Sequence, residues 1–227
     1  MPFVVDPDSR LGPSEPGALK VFRGQLKKLN SESNDKIAVL DSEKKLQDLG
    51  FVDYFSNLTE EQKAAIMGGK VRHFIPWRAV FNENSVSTSC RLVFDASQPT
   101  QGGCSLNSLL AKGANSMNKL IQIMIRWLTW SHAFHTDISK MYNVVLLDFH
   151  FWRYQLYLWS QSLNLNDDPV WKVIKTLIYG VRSSGNLAEC GLRRTVELSK
   201  DEFPKAYDVI MHDTYVDDCM SGSESHE

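Results

Sequence analysis

The sequence has no long apolar run and no paired cysteines. Its most apolar stretch, residues 120–130, is too short to cross a membrane and contains Arg126. The N-terminus lacks a charged segment followed by an apolar one, so we expect no signal peptide. The cysteines are widely scattered and show no C-x-x-C spacing: Cys90, Cys104, Cys190 and Cys219. This scarcity favours reduced cytosolic thiols over a disulfide framework or a zinc site.

The chain also lacks a large excess of either charge. Its 25 basic and 27 acidic residues give a net charge of -2, so any nucleic-acid site would have to be a local basic patch on a neutral body. The 227 residues, 43% of them hydrophobic, suffice for one large or two small globular domains. The six histidines lack a metal-binding spacing. For His132 and His135, three residues apart, we expect a surface or core role rather than ligation.

The first third of the chain is predicted to be an extended leader followed by a helical segment. Residues 1–18 contain four prolines and two glycines, which predicts the leader. Within the helical segment, residues 19–69, two helices are predicted. They cover residues 34–49, ended by Gly50, and a short stretch to Met67 that begins with the capping-box spacing of Thr59 and Gln62.

The remaining segments alternate between strand-like and helix-like patterns. Strands at 79–81 and 91–94, joined by the turn-rich stretch 82–89, predict a hairpin. Further on we predict, in order, a helix from a Ser116 cap to Trp130, strands at 133–138 and 154–159, helices at 170–179 and 186–200, and a last hairpin that opens with the apolar run 206–211 after Pro204. This order predicts an α+β fold compatible with a split βαβ sheet.

Two adjacent carboxylates, Asp217 and Asp218, follow Tyr215 and Val216 at what reads as a tight turn between strands. Side chains at such a turn can reach one point in space, and carboxylate oxygens are the ligands of Mg²⁺. An Asp-Asp pair is also common in solvated turns. A third carboxylate, Asp137, ends an apolar strand, a position where helix N-caps are also common.

Together these three carboxylates suggest phosphoryl transfer assisted by two metal ions. Carboxylates on neighbouring strands could hold two Mg²⁺ about 3.5–4 Å apart. One ion would activate an oxygen nucleophile, and the other would hold leaving phosphates during in-line attack on phosphorus.

Four blocks of sequence, in this order and spacing, resemble the fingers and palm of a reverse transcriptase. They are most similar to the BEL/Pao class of long-terminal-repeat retrotransposons. The fingers block is residues 91–97 (RLVFDAS), motif A is 134–142 (FHTDISKMY), motif B is 179–188 (YGVRSSGNLA) and motif C is 215–218 (YVDD). The resemblance covers roughly residues 70–222. It implies a fingers subdomain at 70–132 and a polymerase palm at 133–227.

The resemblance implies catalytic, metal-binding roles for Asp137, Asp217 and Asp218, with the main-chain carbonyl of Ile138 as a further ligand. The ions would be two Mg²⁺, with Mn²⁺ as a substitute. Tyr142 matches the aromatic gate that excludes a ribose 2′-hydroxyl; an ordinary core tyrosine is the alternative.

The remaining roles concern the incoming nucleotide and the primer. Arg91 matches the arginine that contacts the triphosphate. A guanidinium suits this role because it can bond two phosphate oxygens at once and stays charged. Tyr179 and Gly180 match the pair that packs on the nucleotide and lets the backbone approach it. Tyr215 and Val216 would lie near the primer terminus. The aromatic residues Phe151, Trp152, Tyr154, Tyr157 and Trp159 are expected to form palm core rather than to stack on bases.

Three departures from the family pattern stand out. Residues 79–90 contain no lysine where many reverse transcriptases grip the triphosphate, and Arg78 is the nearest cation. Gly185 occupies a motif B position where many relatives have proline. The sequence ends at Glu227, before any thumb, connection or RNase H pattern, so we expect residues 1–227 alone to fold at best in part, with an open sheet edge after motif C, and to copy no template processively.

The implied partners are an RNA or DNA template with its primer and deoxynucleoside triphosphates, with no membrane. The implied location is the cytoplasm, within a retrotransposon particle, or the nucleus. Two alternatives stay open. One is a catalytically inactive, truncated or co-opted nucleic-acid-binding remnant of a retroelement. The other is a palm-fold nucleotide cyclase, which would lack both the Arg91 hairpin and motif B.

Overall fold

The computed structural model describes residues 1–31, 33–82 and 89–225 and shows an α+β protein with small antiparallel sheets. The helices are α1 (Glu15–Leu29), α2 (Ser33–Asp48), α3 (Glu60–Met67), α4 (Leu120–Trp127), α5 (Ser184–Leu198) and α6 (Pro204–Asp213). The strands are β1 (Val52–Tyr54), β2 (Trp77–Phe81), β3 (Cys90–Phe94), β4 (His132–Asp137), β5 (Leu156–Trp159), β6 (Val170–Ile174), β7 (Thr214–Tyr215) and β8 (Asp218–Ser223).

The chain forms two compact units whose segments interleave along the sequence. The first consists of Met1–Ala111 and Leu146–Ser183, and the second of Lys112–Val145 and Ser184–Glu227. The predicted fingers, 70–132, and palm, 133–227, are consecutive segments and stay predictions. The two compact units divide the chain differently, because β6 pairs with β1 and so joins a later segment to the N-terminal part of the chain.

The first unit contains a three-stranded antiparallel sheet in the order β1-β6-β5 and the separate hairpin β2-β3. Trp77 of β2 and Trp159 of β5 lie at the centre of its core, with ring centroids 5.1 Å apart. The Trp77 indole N–H donates a hydrogen bond to the Leu158 carbonyl at 2.8 Å. Of the aromatic residues predicted as palm core, Trp152, Tyr154, Tyr157 and Trp159 are buried in the core of this first unit, and Phe151 packs against it half-buried. Their burial is confirmed, and their assignment to a palm stays a prediction.

The second unit is a three-stranded antiparallel sheet in the order β4-β8-β7, accompanied by α4, α5 and α6. Among the residues that the structure describes, β8 therefore lies in the middle of this sheet, and β4 and β7 are its outer strands. This corrects the expectation of an unpaired sheet edge directly after the Asp217-Asp218 turn. The acidic residue Glu227, named with that expectation, lies outside the described residues.

Several local predictions are confirmed. The helix predicted at 34–49 is α2, and α3 begins with a complete capping box in which Thr59 and Gln62 bond each other's main-chain N–H groups. β2 and β3 form the predicted antiparallel hairpin. Residues 83–88 of its connection lie outside the described part of the chain.

Two segments have the opposite secondary structure from that predicted. The predicted helix 170–179 contains strand β6 instead, because this segment pairs with β1 on one side and β5 on the other. The predicted strand 206–211 lies within helix α6, because Pro204 occupies the first turn, where its missing N–H costs no hydrogen bond.

The predicted extended leader and one predicted cap also differ from the structure. Residues 1–18 include a short 3₁₀ helix at Pro7–Ser9 and the start of α1, and buried Leu11 and Ala18 join the core of the first unit. The predicted cap, Ser116, lies before α4, whose cap position is Lys119; the Ser116 carbonyl instead accepts a hydrogen bond from Arg193 Nη2 at 2.9 Å.

Candidate functional site

Two of the three predicted carboxylates lie side by side in the second unit. β4 and β8 pair in antiparallel register with Asp137 directly opposite Asp218. Directly opposed residues point to the same face of a sheet, with Cβ atoms about 4.5–5.5 Å apart. Because two negative charges at that spacing repel each other, the pair favours a cation between or beside them.

The third carboxylate lies in the turn between β7 and β8, which consists of Val216 and Asp217. Val216 has a φ of 59°, which is a strained value for a β-branched residue and one that glycine normally supplies in such hairpins. The Asp217 carbonyl accepts a hydrogen bond from the Ile138 N–H at 2.7 Å. This bond ties the turn to the residue that follows Asp137.

The chemistry of the donors fits Mg²⁺, although their present arrangement is incomplete. Among the described residues, no group of three or more His, Cys, Asp or Glu side chains is arranged to hold a metal. The structure thus brings Asp137 and Asp218 together across two strands, and Asp217 precedes Asp218 in the turn, but the three carboxylates do not surround one point. The predicted Ile138 carbonyl accepts the Met141 N–H at 3.2 Å and retains a second lone pair.

The sequence analysis missed a histidine at this site. His135 Nε2 lies 2.9 Å from Asp218 Oδ1, and both side chains are about half exposed, at 50% and 47%. Because side chains alternate along a strand, His135 shares its face with Asp137, two residues away. The two-residue spacing of His135 and Asp137 indicates that they share a strand face, but it does not indicate the contact with Asp218 on the neighbouring strand.

Tyr142 lies beside the same turn. Burial raises the pKa of its hydroxyl above the ordinary value, and the negative charge of Asp217 raises it further. A Cβ at Gly185 would lie 3.2 Å from the Tyr142 hydroxyl oxygen. Gly185 lies in the first turn of α5, and because it has no side chain, it leaves room for the hydroxyl end of the Tyr142 ring.

A buried acid also supports the base of the hairpin. Asp213, the last residue of α6, accepts hydrogen bonds from Arg126 Nε at 2.9 Å and from the Ser221 hydroxyl at 2.8 Å. These bonds connect α4, α6 and β8 just before β7 begins. The sequence analysis did not identify Asp213.

The predicted nucleotide-contacting residues Arg91, Tyr179 and Gly180 belong to the first unit. Arg91 is exposed on β3 opposite Val80, and Arg78 is exposed on β2 opposite Val93. Since alternate residues of paired strands share a face, both arginines project from the same solvent-exposed face of the hairpin. The sequence analysis left the direction of Arg78 open.

Gly180 has a local structural reason to be glycine. Its φ is 96°, and a Cβ there would lie 2.3 Å from the main-chain oxygen of Phe94, at the end of β3. Asn107 fixes this turn by donating to the Gly180 carbonyl at 2.7 Å and accepting the Arg182 N–H at 2.7 Å. Tyr179, just before it, is 54% exposed.

The predicted site residues thus fall into two sets, one in each unit. The second unit holds Asp137, Ile138, Tyr142, Tyr215, Val216, Asp217 and Asp218, and the first holds Arg91, Tyr179 and Gly180. Over the described ranges, no helix is both long and apolar enough to cross a membrane. No protein-family model matches the chain, and no curated protein sequence matches it.

Proposed function

We propose that this chain is the fingers and palm portion of a retrotransposon reverse transcriptase, an RNA-directed DNA polymerase. It would add deoxynucleotides to a primer 3′-hydroxyl on an RNA or DNA template. The second unit would be the palm, and the first would carry the fingers hairpin and the nucleotide-contacting turn.

One observation carries the proposal: the register that sets Asp137 of β4 opposite Asp218 of β8, directly beside the β7–β8 turn with Asp217. In the sequence, Asp137 and Asp218 lie about 80 positions apart, and the motif resemblance does not itself bring them together. Their pairing on one sheet face supplies the oxygen donors that phosphoryl-transfer sites use.

In this mechanism Asp137, Asp217 and Asp218 would hold two divalent cations. When bound, the ions would supply positive charge for the phosphates and lower the pKa of the primer 3′-hydroxyl. By holding the ions at fixed positions, the three carboxylates would keep the primer 3′-hydroxyl and the triphosphate in the geometry needed for attack.

The other residues would bind and select the nucleotide. Arg91, with Arg78 on the same hairpin face, would form charged hydrogen bonds to the triphosphate. The ring of Tyr142 would exclude a 2′-hydroxyl, and Val216, held in a strained turn, would contact the primer end.

A primer-extension assay tests the proposal. We expect the 227-residue protein, at low salt with Mg²⁺ or Mn²⁺, to add single complementary nucleotides to a labelled primer-template. Asp137→Asn, Asp217→Asn and Asp218→Asn should each reduce the rate by about a thousandfold or more, since several kcal/mol of transition-state stabilisation are lost. Asp208→Asn, an exposed acid on α6, is the matched control and should retain activity.

Each outcome has a separate meaning. Normal extension by one of the three variants would remove that residue from the site. Binding of primer-template without any extension, for the wild-type protein and all variants alike, would favour the inactive nucleic-acid-binding remnant. Cyclisation of a nucleoside triphosphate without a template would favour the cyclase.

A further inference from the structure

Asp218 has a neighbour that no catalytic assignment explains. His135 and Asp137 lie on one face of β4, and Asp218 faces Asp137 from β8. Within the described part of the chain, the one hydrogen-bond partner of the Asp218 carboxylate is His135, which lies on the strand that also carries Asp137.

The direction of this hydrogen bond follows from the chemistry. An ionised carboxylate can only accept, so His135 Nε2 carries the proton and donates to Asp218 Oδ1 over 2.9 Å. One oxygen of Asp218 is thereby held, and the other makes no hydrogen bond to any of the residues that the structure describes. A carboxylate held by one oxygen has less rotational freedom to lose when a ligand binds.

Asp137 repels the Asp218 carboxylate whether or not this hydrogen bond is present. The two carboxylates are direct cross-strand neighbours, and like charges directly opposite each other are destabilising. The lowest-energy response of an exposed, unsupported Asp218 would be to rotate away into solvent. His135 opposes that rotation by a hydrogen bond on the same sheet face.

We propose that His135 is a positioning residue, which orients the Asp218 carboxylate so that its free oxygen can join Asp137 around a divalent cation. The proposal rests on the proposed function, because it assumes that these carboxylates bind the cation. Hydrogen-bond partners of ligating groups commonly contribute about 10–100-fold to metal affinity.

Mn²⁺ binding, measured without nucleotide or primer, tests the proposal independently of activity. The probe is Mn²⁺ alone, titrated into the 227-residue protein while electron paramagnetic resonance records the free ion. We expect His135→Phe, which keeps a ring but has no donor, to weaken Mn²⁺ binding by about 10–100-fold. His135→Gln, which retains an N–H donor, should recover most of the affinity.

Two controls separate positioning from a general structural effect. His132→Phe makes the same change on the same strand, at a position that alternation places on the opposite face, and should leave Mn²⁺ binding unchanged. In an Asp218→Asn background, His135→Phe should have little further effect, because a residue that acts through Asp218 is coupled to it. Circular dichroism confirms that each variant is folded.

The outcomes distinguish the proposal from its foundation. If Asp137→Asn and Asp218→Asn weaken binding but His135→Phe does not, the positioning role is overturned and the metal site stands. If His135→Phe tightens binding, His135 competes with the cation and the proposal is again overturned. If the wild-type protein binds no Mn²⁺, or binds it independently of Asp137 and Asp218, the metal site and the proposal both fall.

Discussion

Replacing Gly180 by alanine tests the close approach of two chain segments in the first unit. At Gly180 the φ of 96° is unfavourable for any L-residue, and an added Cβ would lie 2.3 Å from the Phe94 carbonyl oxygen. The obstacle is main chain at the end of a paired strand, so it cannot simply rotate away. Gly180→Ala therefore combines backbone strain with a collision.

Two other glycines of the same unit separate these contributions. Gly50 has a φ of 74° but nothing within 4 Å of an added Cβ, so Gly50→Ala measures backbone strain alone, about 1–2 kcal/mol. Gly24 lies inside α1 with open space around it, so Gly24→Ala should stabilise by about 0.5–1 kcal/mol. With overpacking of about 1–3 kcal/mol added to the strain, Gly180→Ala should cost about 2–5 kcal/mol.

Urea denaturation followed by tryptophan fluorescence measures these differences, because Trp77 and Trp159 are buried in this unit. We expect the free energy of unfolding to fall in the order Gly24→Ala, wild type, Gly50→Ala, Gly180→Ala. If Gly180→Ala costs no more than Gly50→Ala, the approach of the Phe94 carbonyl is refuted. Gly180 would then be explained by nucleotide contact alone.

Three further predictions concern a buried charge, a buried histidine and the gate tyrosine. Lys172 is fully buried in an ion pair with Glu43, so Lys172→Met leaves the Glu43 carboxylate buried without its partner and should lower the free energy of unfolding by about 3–5 kcal/mol. The double variant Lys172→Met/Glu43→Leu should recover most of this loss. Equal urea midpoints for wild type and Lys172→Met would contradict the prediction. Burial lowers the pKa of His73 from its ordinary 6.5 to about 4, so only the unfolded chain takes up a proton between these values. Stability should therefore fall by about 2 kcal/mol between pH 7 and 5, and a His73→Gln variant with the same pH dependence in urea melts would exclude His73 as the cause. Tyr142→Val should raise incorporation of ribonucleotides relative to deoxynucleotides in single-turnover extension, and an unchanged ratio would return Tyr142 to a purely structural role.

The features that the sequence predicted correctly depend on local chemistry. The capping box at Thr59 and the turn before Asp218 are each specified within a few residues, so no distant partner is needed to recognise them. The strand that ends at Asp137 also showed a clear pattern.

The incorrect predictions depend on distant partners. β6 has the sequence VWKVI, and its central Lys172 is fully buried by pairing with Glu43 of α2, which removes the alternation of a half-exposed strand. A short apolar run of this kind cannot be told from a buried helix by periodicity. The run at 206–211 has the same ambiguity, and there Pro204 starts a helix rather than breaking a pattern.

For the candidate site, the sequence predicted the residues but not their geometry. The register that opposes Asp137 and Asp218 is fixed by pairing between strands about 80 residues apart. The contact of His135 with Asp218 is a consequence of that register, so no local pattern could indicate it. The same holds for Arg78, whose direction is set by the pairing of β2 with β3.

Dependence on the template base tests the central claim most directly. The 227-residue protein would be given one primer annealed to four templates that differ only in the first unpaired base, with each deoxynucleotide offered separately and Mg²⁺ present. The account predicts addition of the complementary nucleotide on each template, and loss of that addition in Asp137→Asn. Addition that ignores the template base, or that persists in Asp137→Asn, would contradict it.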